Sequence, residues 1–273
     1  MCSSDLPIRR VLRCMGSFSG GPFVAAAKLK SLPVLIHEQN VVPGRANRIS
    51  AYFADKIATS FDATADFFPE SAGRKIVCTG NPVRKEILAL QPVPLTKWNR
   101  FTILVMGGSQ GAHAINMVFV EAASALDKDR FEILHLAGKD DYEILLREYR
   151  KLSIKSKVFE FLDDIAQAYA AADLVISRAG AMTLTEIVSL GMASILIPYP
   201  YGDSHQKANA QVLKNAGAAI VIEEKALTGE RLLEAIKGLS ANRAKLDEMK
   251  KASSGLARPD AAQGLAREVL SLL

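Results

Sequence analysis

The sequence is poor in cysteine and has no long uninterrupted apolar segment. Its 273 residues include 3 cysteines, which are scattered at Cys2, Cys14 and Cys78 without a CxxC pair. An odd number of dispersed cysteines argues against a disulfide framework or a zinc site and favours a reducing compartment. No apolar run approaches the ~18 residues that a membrane-spanning helix needs, so a transmembrane protein is not expected.

Several signatures of ligand sites are missing as well. The chain has no GxGxxG fingerprint of a dinucleotide site and no GK[ST] ending of a P-loop. The four histidines show no metal-ligand spacing. The DxD sequence Asp127-Lys128-Asp129 lies between a predicted helix and the start of a strand, at the end of the sheet away from ligands. We therefore expect no cofactor and no bound metal.

The charge balance is mildly basic, with a formal net charge of +5. This favours an anionic partner such as a nucleotide, a pyrophosphate or an anionic membrane surface, although a solvated basic surface explains the excess equally well. The chain has no arginine-rich tract and no interleaved basic and aromatic stripe, so nucleic acid is not an expected partner.

Short apolar runs alternate with segments of helical periodicity from residue 101 onward. The predicted strands cover residues 101–106, 131–137, 158–162, 174–177, 194–197 and 218–222. Three helices are predicted to close the chain, over residues 229–239, 242–253 and 261–273. This alternation is typical of a parallel sheet with helices on both faces, which binds its ligands at the carboxyl ends of the strands.

The first 90 residues follow the same α/β pattern but hold fewer elements. Strands are predicted over residues 33–36, 56–60 and 75–78, whereas residues 1–13 fit no element and read as foreign or misassigned sequence. The segment Gln91-Pro92-Val93-Pro94 resembles a linker. We expect an incomplete N-terminal domain over residues 1–90, a linker over 91–100 and a complete domain over 101–273, with the last helix packing back on the N-terminal part.

Two turns after predicted strands could hold phosphate. GGSQG, residues 107–111, follows the strand over 101–106 and precedes a helix, and SRAGAMTLTE, residues 177–186, follows the strand over 174–177. Glycine-rich and small-residue turns let backbone N–H groups approach an anion, and the helix N-terminus adds a favourable dipole. The carboxylate of Glu186 could accept hydrogen bonds from both hydroxyls of a ribose diol. A tight turn and a favourable acidic residue near a helix start explain both motifs without a ligand.

Three further motifs carry polar side chains next to strand ends. Gln206 and Asn209 are three residues apart and share a helix face, where their amides suit sugar hydroxyls, although this polarity is also ordinary at a helix start. The segment HEQN, residues 37–40, follows one strand, and GNPVR, residues 80–84, follows another. The guanidinium of Arg84 suits phosphate oxygens.

Taken in order, HEQN, VPGRANR, GNPVR, GGSQGA, SRAGAMTLTE and the aspartate-to-QxxNA stretch resemble the MurG family of glycosyltransferases from about Gly16 to the end of the chain. The resemblance implies the GT-B type of α/β fold, with two doubly wound Rossmann-like domains, the N-terminal one incomplete here. It also implies an inverting transfer of N-acetylglucosamine from UDP-GlcNAc to undecaprenyl-pyrophosphoryl-MurNAc-pentapeptide, lipid I, in peptidoglycan synthesis. Family members act as peripheral proteins at the cytoplasmic face of the bacterial plasma membrane.

The resemblance also implies roles for individual residues. Asn40 and Gln206 would contact the GlcNAc, Arg84 and Ser109 the diphosphate, Leu162 the uracil, and Glu186 the ribose. The phosphate turn would be lined by Ala181, Met182, Thr183, Leu184 and Thr185. Gly108, Gln110 and Asn209 would support the donor site, and Gly16, Ser17 and Gly20 would lie on the acceptor side.

One departure from the family pattern affects the expected activity. The family begins with a glycine-rich loop of the form GGTGGH, whose histidine is a candidate general base, and this sequence holds no such loop. We therefore leave the catalytic base unassigned and expect this chain to bind the donor with little turnover alone. The alternatives are a UDP-GlcNAc 2-epimerase of the same fold, a nucleotide-binding module without catalysis, and a dinucleotide-dependent oxidoreductase, which the missing GxGxxG makes the weakest.

Overall fold

The computed structural model describes residues 11–15, 20–90, 100–107, 112–201 and 205–273. The chain divides into two compact units. One unit holds the described residues up to Pro82 together with Arg258–Leu273, and the other holds Val83–Ala257.

The first unit is built on a parallel sheet. Its first elements along the chain are β1 (Leu12–Cys14), α1 (Gly20–Leu29), β2 (Val34–Glu38), α2 (Arg45–Ser50), β3 (Lys56–Thr59), two short 3-10 helices (Asp62–Phe67 and Glu70–Lys75) and β4 (Ile76–Cys78). The strands pair in parallel in the order β1-β2-β3-β4. All five residues of β2 are buried, as is typical of a strand covered on both faces.

The start of this unit corrects one expectation from the sequence. Leu12 and Arg13 were expected to fit no element, but they lie in β1 and pair with Val34 and Leu35 of β2. The strand is only three residues long and carries a charged arginine at its centre, so no apolar run indicated it. Residues 1–10 lie outside the described residues.

The second unit contains the larger sheet. Its elements are α3 (Lys85–Leu88), β5 (Phe101–Met106), α4 (His113–Ala123), β6 (Phe131–Leu136), α5 (Tyr142–Leu152), β7 (Lys155–Phe159), α6 (Ile165–Ala171), β8 (Leu174–Ser177), α7 (Ala181–Ser189), β9 (Ala193–Leu196), α8 (His205–Asn215), β10 (Ala219–Val221), a 3-10 turn (Glu224–Ala226), α9 (Gly229–Ser240) and α10 (Arg243–Gly255). The strand order is β10-β9-β8-β5-β6-β7, and the pairs are parallel.

This order identifies the second unit as a doubly wound sheet. Counted from β5, the six strands lie in the order 3-2-1-4-5-6, in which the winding direction reverses between β5 and β8. Successive residues of a strand face opposite sides of the sheet. Ile103 and Val105 accordingly pack in the core shared with α4 and α9, whereas Leu104 and Met106 pack in the core shared with α6 and α7.

The last helix, α11 (Ala261–Leu270), belongs to the first unit. Its Leu265 packs against Leu35 and Ala58 of the small sheet, and its Glu268 forms an ion pair with Lys56 of β3. The turn at Gly80 passes close to Arg258, just before α11, and only glycine fits there. Its φ is +83°, and an added Cβ would lie 2.6 Å from the Cβ of Arg258.

The predicted fold class, α/β with two Rossmann-like sheets, is confirmed by these strand orders. Most predicted elements match the structure to within a few residues, and β5 and β8 begin and end where the sequence predicts. The strand expected over residues 158–162 is the clear error, because β7 covers Lys155–Phe159. This edge strand alternates exposed lysines with half-buried residues, so its apolar run begins only near its end.

Candidate functional site

The two predicted phosphate turns follow adjacent strands at the point where the winding of the large sheet reverses. β5 ends at Met106, the buried Gly107 follows, and α4 begins at His113. β8 pairs with β5 along its length and ends at Ser177 beside Met106. Crevices of this kind, outside the carboxyl ends of the strands, are where doubly wound sheets bind ligands. The predicted site residues Gly108, Ser109 and Gln110 lie outside the described residues.

The turn after β8 leads directly into α7. Gly180 caps this helix in an extended conformation, and Leu184 donates the first of its backbone hydrogen bonds, to the Gly180 carbonyl. An α-helix leaves its first N–H groups without intrahelical partners, and its N-terminus carries a partial positive charge. The hydroxyl of Thr185 donates to the Ala181 carbonyl at 2.7 Å, which engages that side chain within the helix itself. The start of α7 thus lies directly after the carboxyl end of β8.

Gln206 ties the turns after β8 and β9 together. Its Oε1 accepts from the backbone N–H of Ala179 at 3.1 Å and from that of Tyr199 at 3.0 Å. These two donors fix the orientation of the amide, because only the oxygen can accept. The Nε2 group of Gln206 is therefore a hydrogen-bond donor, and it could donate to an oxygen of a sugar.

Asn209 lies one helical turn further along α8 and is fully buried. Its Nδ2 donates to the Ala179 carbonyl at 3.2 Å. The N–H of Ala179 is thus bound by Gln206 and its carbonyl by Asn209. We interpret Asn209 as a buried residue that stabilises the turn after β8.

Glu186 and Arg84, expected to bind different parts of the donor, contact each other in this structure. Arg84 Nη2 donates to Glu186 Oε1 at 2.9 Å, and the Glu186 side chain is only 10 % exposed. The second oxygen, Oε2, accepts from the hydroxyl of Tyr169 at 3.0 Å. Each carboxylate oxygen of Glu186, the residue predicted to bind the ribose, therefore accepts from one side chain of the same unit. The two donors, Arg84 and Tyr169, come from different parts of that unit.

Tyr169 is the residue of this cluster that the sequence analysis missed. It lies on α6, is 2 % exposed, and packs with Leu184 and Ile187 of α7 in one core cluster. Burial first, and the nearby Glu186 carboxylate second, raise the pKa of its hydroxyl well above the ordinary value, so it stays protonated and donates. No spacing rule joins Tyr169 to Glu186, because the two residues lie on different helices separated by β8.

Leu162, predicted to lie beside the uracil, is in the loop between β7 and α6. It was expected to end a strand, but that strand ends at Phe159. Leu162 is half-buried and packs against the core cluster that contains Tyr169. It therefore belongs to the same side of the sheet as α6 and α7.

Asn40 belongs to the other unit, where Glu38 organises the loop after β2. The Oε1 atom of Glu38 accepts from the backbone N–H of Asn40 at 2.9 Å and from its Nδ2 at 3.3 Å. The Oε2 atom accepts from Gly44 N at 3.1 Å and from Asn47 Nδ2 at 2.7 Å. The buried glutamate thus shapes the loop that presents Asn40, and the HEQN segment is partly a structural motif.

His37 of the same segment is also structural. It is fully buried, and its Nε2 lies 3.1 Å from the Gly80 carbonyl oxygen. Burial is the main cause that lowers its pKa. This contact joins the HEQN and GNPVR segments within the first unit.

Of the residues expected on the acceptor side, Gly16 and Ser17 lie outside the described residues, and Gly20 begins α1. A Cβ added at Gly20 would lie 2.3 Å from Cys14 Sγ at the end of β1. Glycine here lets the start of α1 pass close to the strand.

A buried polar network joins the start of α4 to β6 and α5. His135 of β6 is fully buried, with Nδ1 2.6 Å from the Tyr149 hydroxyl and Nε2 2.9 Å from Asn116 Oδ1. Asn116 Nδ2 donates to Asp141 Oδ2 at 2.7 Å, and Asp141 Oδ1 lies 2.8 Å from Nδ1 of the exposed His113. Burial lowers the pKa of His135 to about 3, so the imidazole is neutral.

Within the described residues, no group of three or more His, Cys, Asp or Glu side chains is arranged to hold a metal ion. The same part of the chain holds no helix with the length and apolar character required to cross a bilayer.

Comparison with known proteins connects this geometry to a family. Residues 102–265 match the model of the glycosyltransferase family 28 C-terminal domain, and residues 10–59 match that of its N-terminal domain. The chain belongs to this family. The N-terminal match also supports assigning Leu12 and Arg13 to the first domain.

The names of individual relatives specify the enzyme more closely than the family models do. The UDP-N-acetylglucosamine–N-acetylmuramyl-(pentapeptide) pyrophosphoryl-undecaprenol N-acetylglucosamine transferase of Coxiella burnetii is 41 % identical over 259 residues, which cover 93 % of this chain and 71 % of the relative. The protein of the same name from Geobacter metallireducens is 40 % identical over 263 residues, covering 94 % of this chain and 71 % of the relative. These matches place the chain in the MurG family of N-acetylglucosaminyltransferases.

Solved structures agree with this assignment. The crystal structure of Acinetobacter baumannii MurG matches with a TM-score of 0.81 and 33 % identity, covering 96 % of this chain and 74 % of that one. The UDP-GlcNAc 2-epimerase of Neisseria meningitidis matches with a TM-score of 0.69 but only 13 % identity, covering 96 % of this chain and 75 % of that one. This second likeness shows the shared fold alone, so the epimerase alternative rests on no more than the fold.

Proposed function

We propose that this chain binds UDP-GlcNAc in its Val83–Ala257 unit and contributes to transfer of the GlcNAc to undecaprenyl-pyrophosphoryl-MurNAc-pentapeptide, which forms lipid II. The observation that carries the proposal is the position of Arg84, Glu186 and Gln206 around the turn between β8 and α7. This turn adjoins the strand-order reversal where doubly wound sheets take their ligands. The names of the relatives at about 40 % identity supply the substrates.

The roles proposed for the donor site follow the chemistry of its groups. Glu186 supplies a carboxylate that accepts from the ribose diol, and the first turn of α7 supplies N–H groups and a helix dipole to the diphosphate. Arg84 is half-exposed and carries a planar guanidinium that matches phosphate oxygens. Gln206 supplies amide donors to the sugar, and Leu162 forms part of the apolar surface for the uracil.

The chemical step proposed is an in-line displacement with inversion. The acceptor hydroxyl attacks the anomeric carbon, a general base removes its proton, and UDP departs. Charge that develops on the departing diphosphate is stabilised by the N-terminus of α7 and by the guanidinium of Arg84. These groups stabilise an anion without a metal ion. The base itself is left unassigned among the described residues.

We also propose that the protein associates peripherally with an anionic membrane surface through its first unit. Helices α1 and α2 contact each other and, with the turn after α2, expose the large apolar side chains of Phe23, Leu29, Ile49, Tyr52 and Phe53. Two basic side chains are exposed nearby in the sequence: Lys30, directly after α1, and Arg48 of α2. Apolar side chains beside basic ones suit the interface of an anionic bilayer.

Calorimetric titration with UDP-GlcNAc tests the donor site. We expect the unmodified chain to bind, and Glu186→Ala to lose at least about tenfold in affinity, because a hydrogen-bonded charged group contributes roughly 1.5–3 kcal/mol.

The matched control is Glu132→Ala. Glu132 is also a buried glutamate in an ion pair, with Lys155 at 2.7 Å, but it lies near the amino end of β6. It should leave UDP-GlcNAc affinity unchanged. Equal losses in the two variants, or unchanged binding by Glu186→Ala, would remove Glu186 from the site.

A further inference from the structure

The carboxylate of Glu186 is held by two donors of different character. Tyr169 is 2 % exposed and reaches Oε2 from the core, whereas the Arg84 side chain is 51 % exposed and reaches Oε1 from the surface. Both contacts have the length of ordinary hydrogen bonds. The two oxygens of one carboxylate are therefore anchored on one side by the core and on the other by a solvated, flexible side chain.

This asymmetry determines which contact can be exchanged for a ligand. Breaking the Tyr169 contact would leave a buried hydroxyl without its acceptor, which is costly. Releasing Arg84 returns a half-exposed guanidinium to water, and ion pairs at the surface contribute little. The Arg84 contact is thus the one that a ligand of Glu186 replaces.

We propose that Tyr169 is a positioning residue for the donor nucleotide, and that Arg84 exchanges Glu186 for the diphosphate when the donor binds. In this arrangement Tyr169 holds Oε2 in place while Oε1 passes from the guanidinium to the ribose diol. The inference rests on the proposed donor role of Glu186 and adds the two partners through which that carboxylate acts.

The carboxylate has enough acceptor capacity for the exchange. Two oxygens offer about four lone-pair directions, and the Tyr169 hydroxyl occupies one of them. The carboxylate can therefore accept hydrogen bonds from both hydroxyls of a ribose without losing the contact with Tyr169. The released guanidinium has five N–H donors and finds a new anion in the diphosphate of the same ligand. A nucleoside without phosphates displaces Arg84 without offering that new partner.

The first test compares UDP with 2′,3′-dideoxy-UDP, which lacks the diol. Tyr169→Phe keeps the buried ring and removes only the hydroxyl. We expect it to weaken UDP binding about tenfold while dideoxy-UDP changes by less than about threefold, because only the diol uses the positioned carboxylate. A general packing defect would weaken both ligands by the same factor, and that result overturns the positioning role.

The matched control is Tyr149→Phe. Tyr149 is equally buried and its hydroxyl also has a buried partner, His135, but it lies on α5 in the other core cluster. This variant should melt at a lower temperature than the unmodified chain and bind both nucleotides unchanged. If Tyr149→Phe shows the same loss for UDP alone, the effect does not come from contact with Glu186.

The second test compares UDP with uridine in Arg84→Ala, by competition against a fluorescent UDP derivative. We expect UDP to bind about tenfold more weakly and uridine to bind as well as before or better, since uridine no longer has to displace a cation. Equal weakening of both ligands overturns the exchange. If the unmodified chain binds neither UDP nor UDP-GlcNAc, the proposed donor site itself is wrong, which is a different result from either of these.

Discussion

At the scale of single residues, the donor site is a set of polar side chains whose partners come from distant parts of the chain. Glu186 is 17 residues from Tyr169 and 102 from Arg84, yet it accepts from both. The sequence places Glu186 near a helix start and Arg84 after a strand, which is enough to propose two ligands. It does not indicate that the two residues meet, because their contact depends on how α3, α6 and α7 pack.

The buried network around His135 leads to a pH prediction. The folded chain holds His135 neutral with a pKa of about 3, below its ordinary value of 6.5. Between these values the unfolded chain binds more protons, so stability rises with pH by up to about 1.4 kcal/mol per unit from this group and is fully present above about 6.5. It is lost as the pH falls through that range.

Replacing the titrating group isolates this effect. The difference in unfolding free energy between the unmodified chain and His135→Leu, measured by urea denaturation, should grow from pH 4 to about pH 6.5 and stay constant above it. A difference independent of pH over this range would mean that His135 is not held neutral by burial.

Some features of the candidate site are local in the sequence, and others depend on contacts between distant residues. The turn residues Ala181 to Glu186 could be found because a strand, a small-residue turn and a helix follow one another locally. The role of Glu38 could not, since this buried carboxylate accepts from groups spread over the loop after β2 and α2, among them Gly44 N and Asn47 Nδ2. Polar residue type alone suggested ligands where the structure shows internal hydrogen bonds.

At the scale of elements, the central strand β8 was predicted to the residue, and the edge strands β4 and β10 to within one residue, whereas the edge strands β7 and β1 were not. The strand β8 is buried at all four residues and was located to the residue. The edge strand β7 carries Lys155 and Lys157 and was misplaced by three residues, and β1 was missed. An edge strand has one solvated side and needs no continuous apolar run. The charged residues of β1 and β7 interrupt that run, so these two strands lack the pattern that identifies a central strand.

Helices α1 and α2 carry the membrane prediction. The chain should sediment with vesicles that contain anionic lipid, and less so as salt rises, because the basic side chains act within a Debye length. The double variant Phe23→Ser/Leu29→Ser should weaken the sedimentation, since two exposed apolar side chains of α1 no longer enter the interface.

Leu270→Ser provides the control for this experiment. Leu270 is also exposed and apolar and belongs to the same unit, but it lies at the end of α11. Its replacement should leave vesicle binding unchanged. Equal loss in the two variants would argue against α1 as the contact surface.

At the scale of the whole molecule, the described residues form two units with parallel sheets, and each unit has its own core. The first unit is completed by the last helix of the chain, whose Leu265 covers the face of β2 and β3 opposite α1. The second unit carries the strand-order reversal and the residues of the proposed donor site. The expected boundaries at residues 90 and 101 stay a prediction, since the units are divided at Pro82 and Ala257 by their internal contacts.

Amide NMR can locate the bound donor in the Val83–Ala257 unit residue by residue. On titration of the isotope-labelled chain with UDP-GlcNAc, we expect shift changes at Ala179 and Gly180 in the turn after β8, at Glu186 of α7 and at Gln206 of α8. No change is predicted at the amino end of β6 or in β7 near Lys155. Changes concentrated at that opposite end, or no changes at a donor concentration that saturates related transferases, would contradict a donor site in this unit.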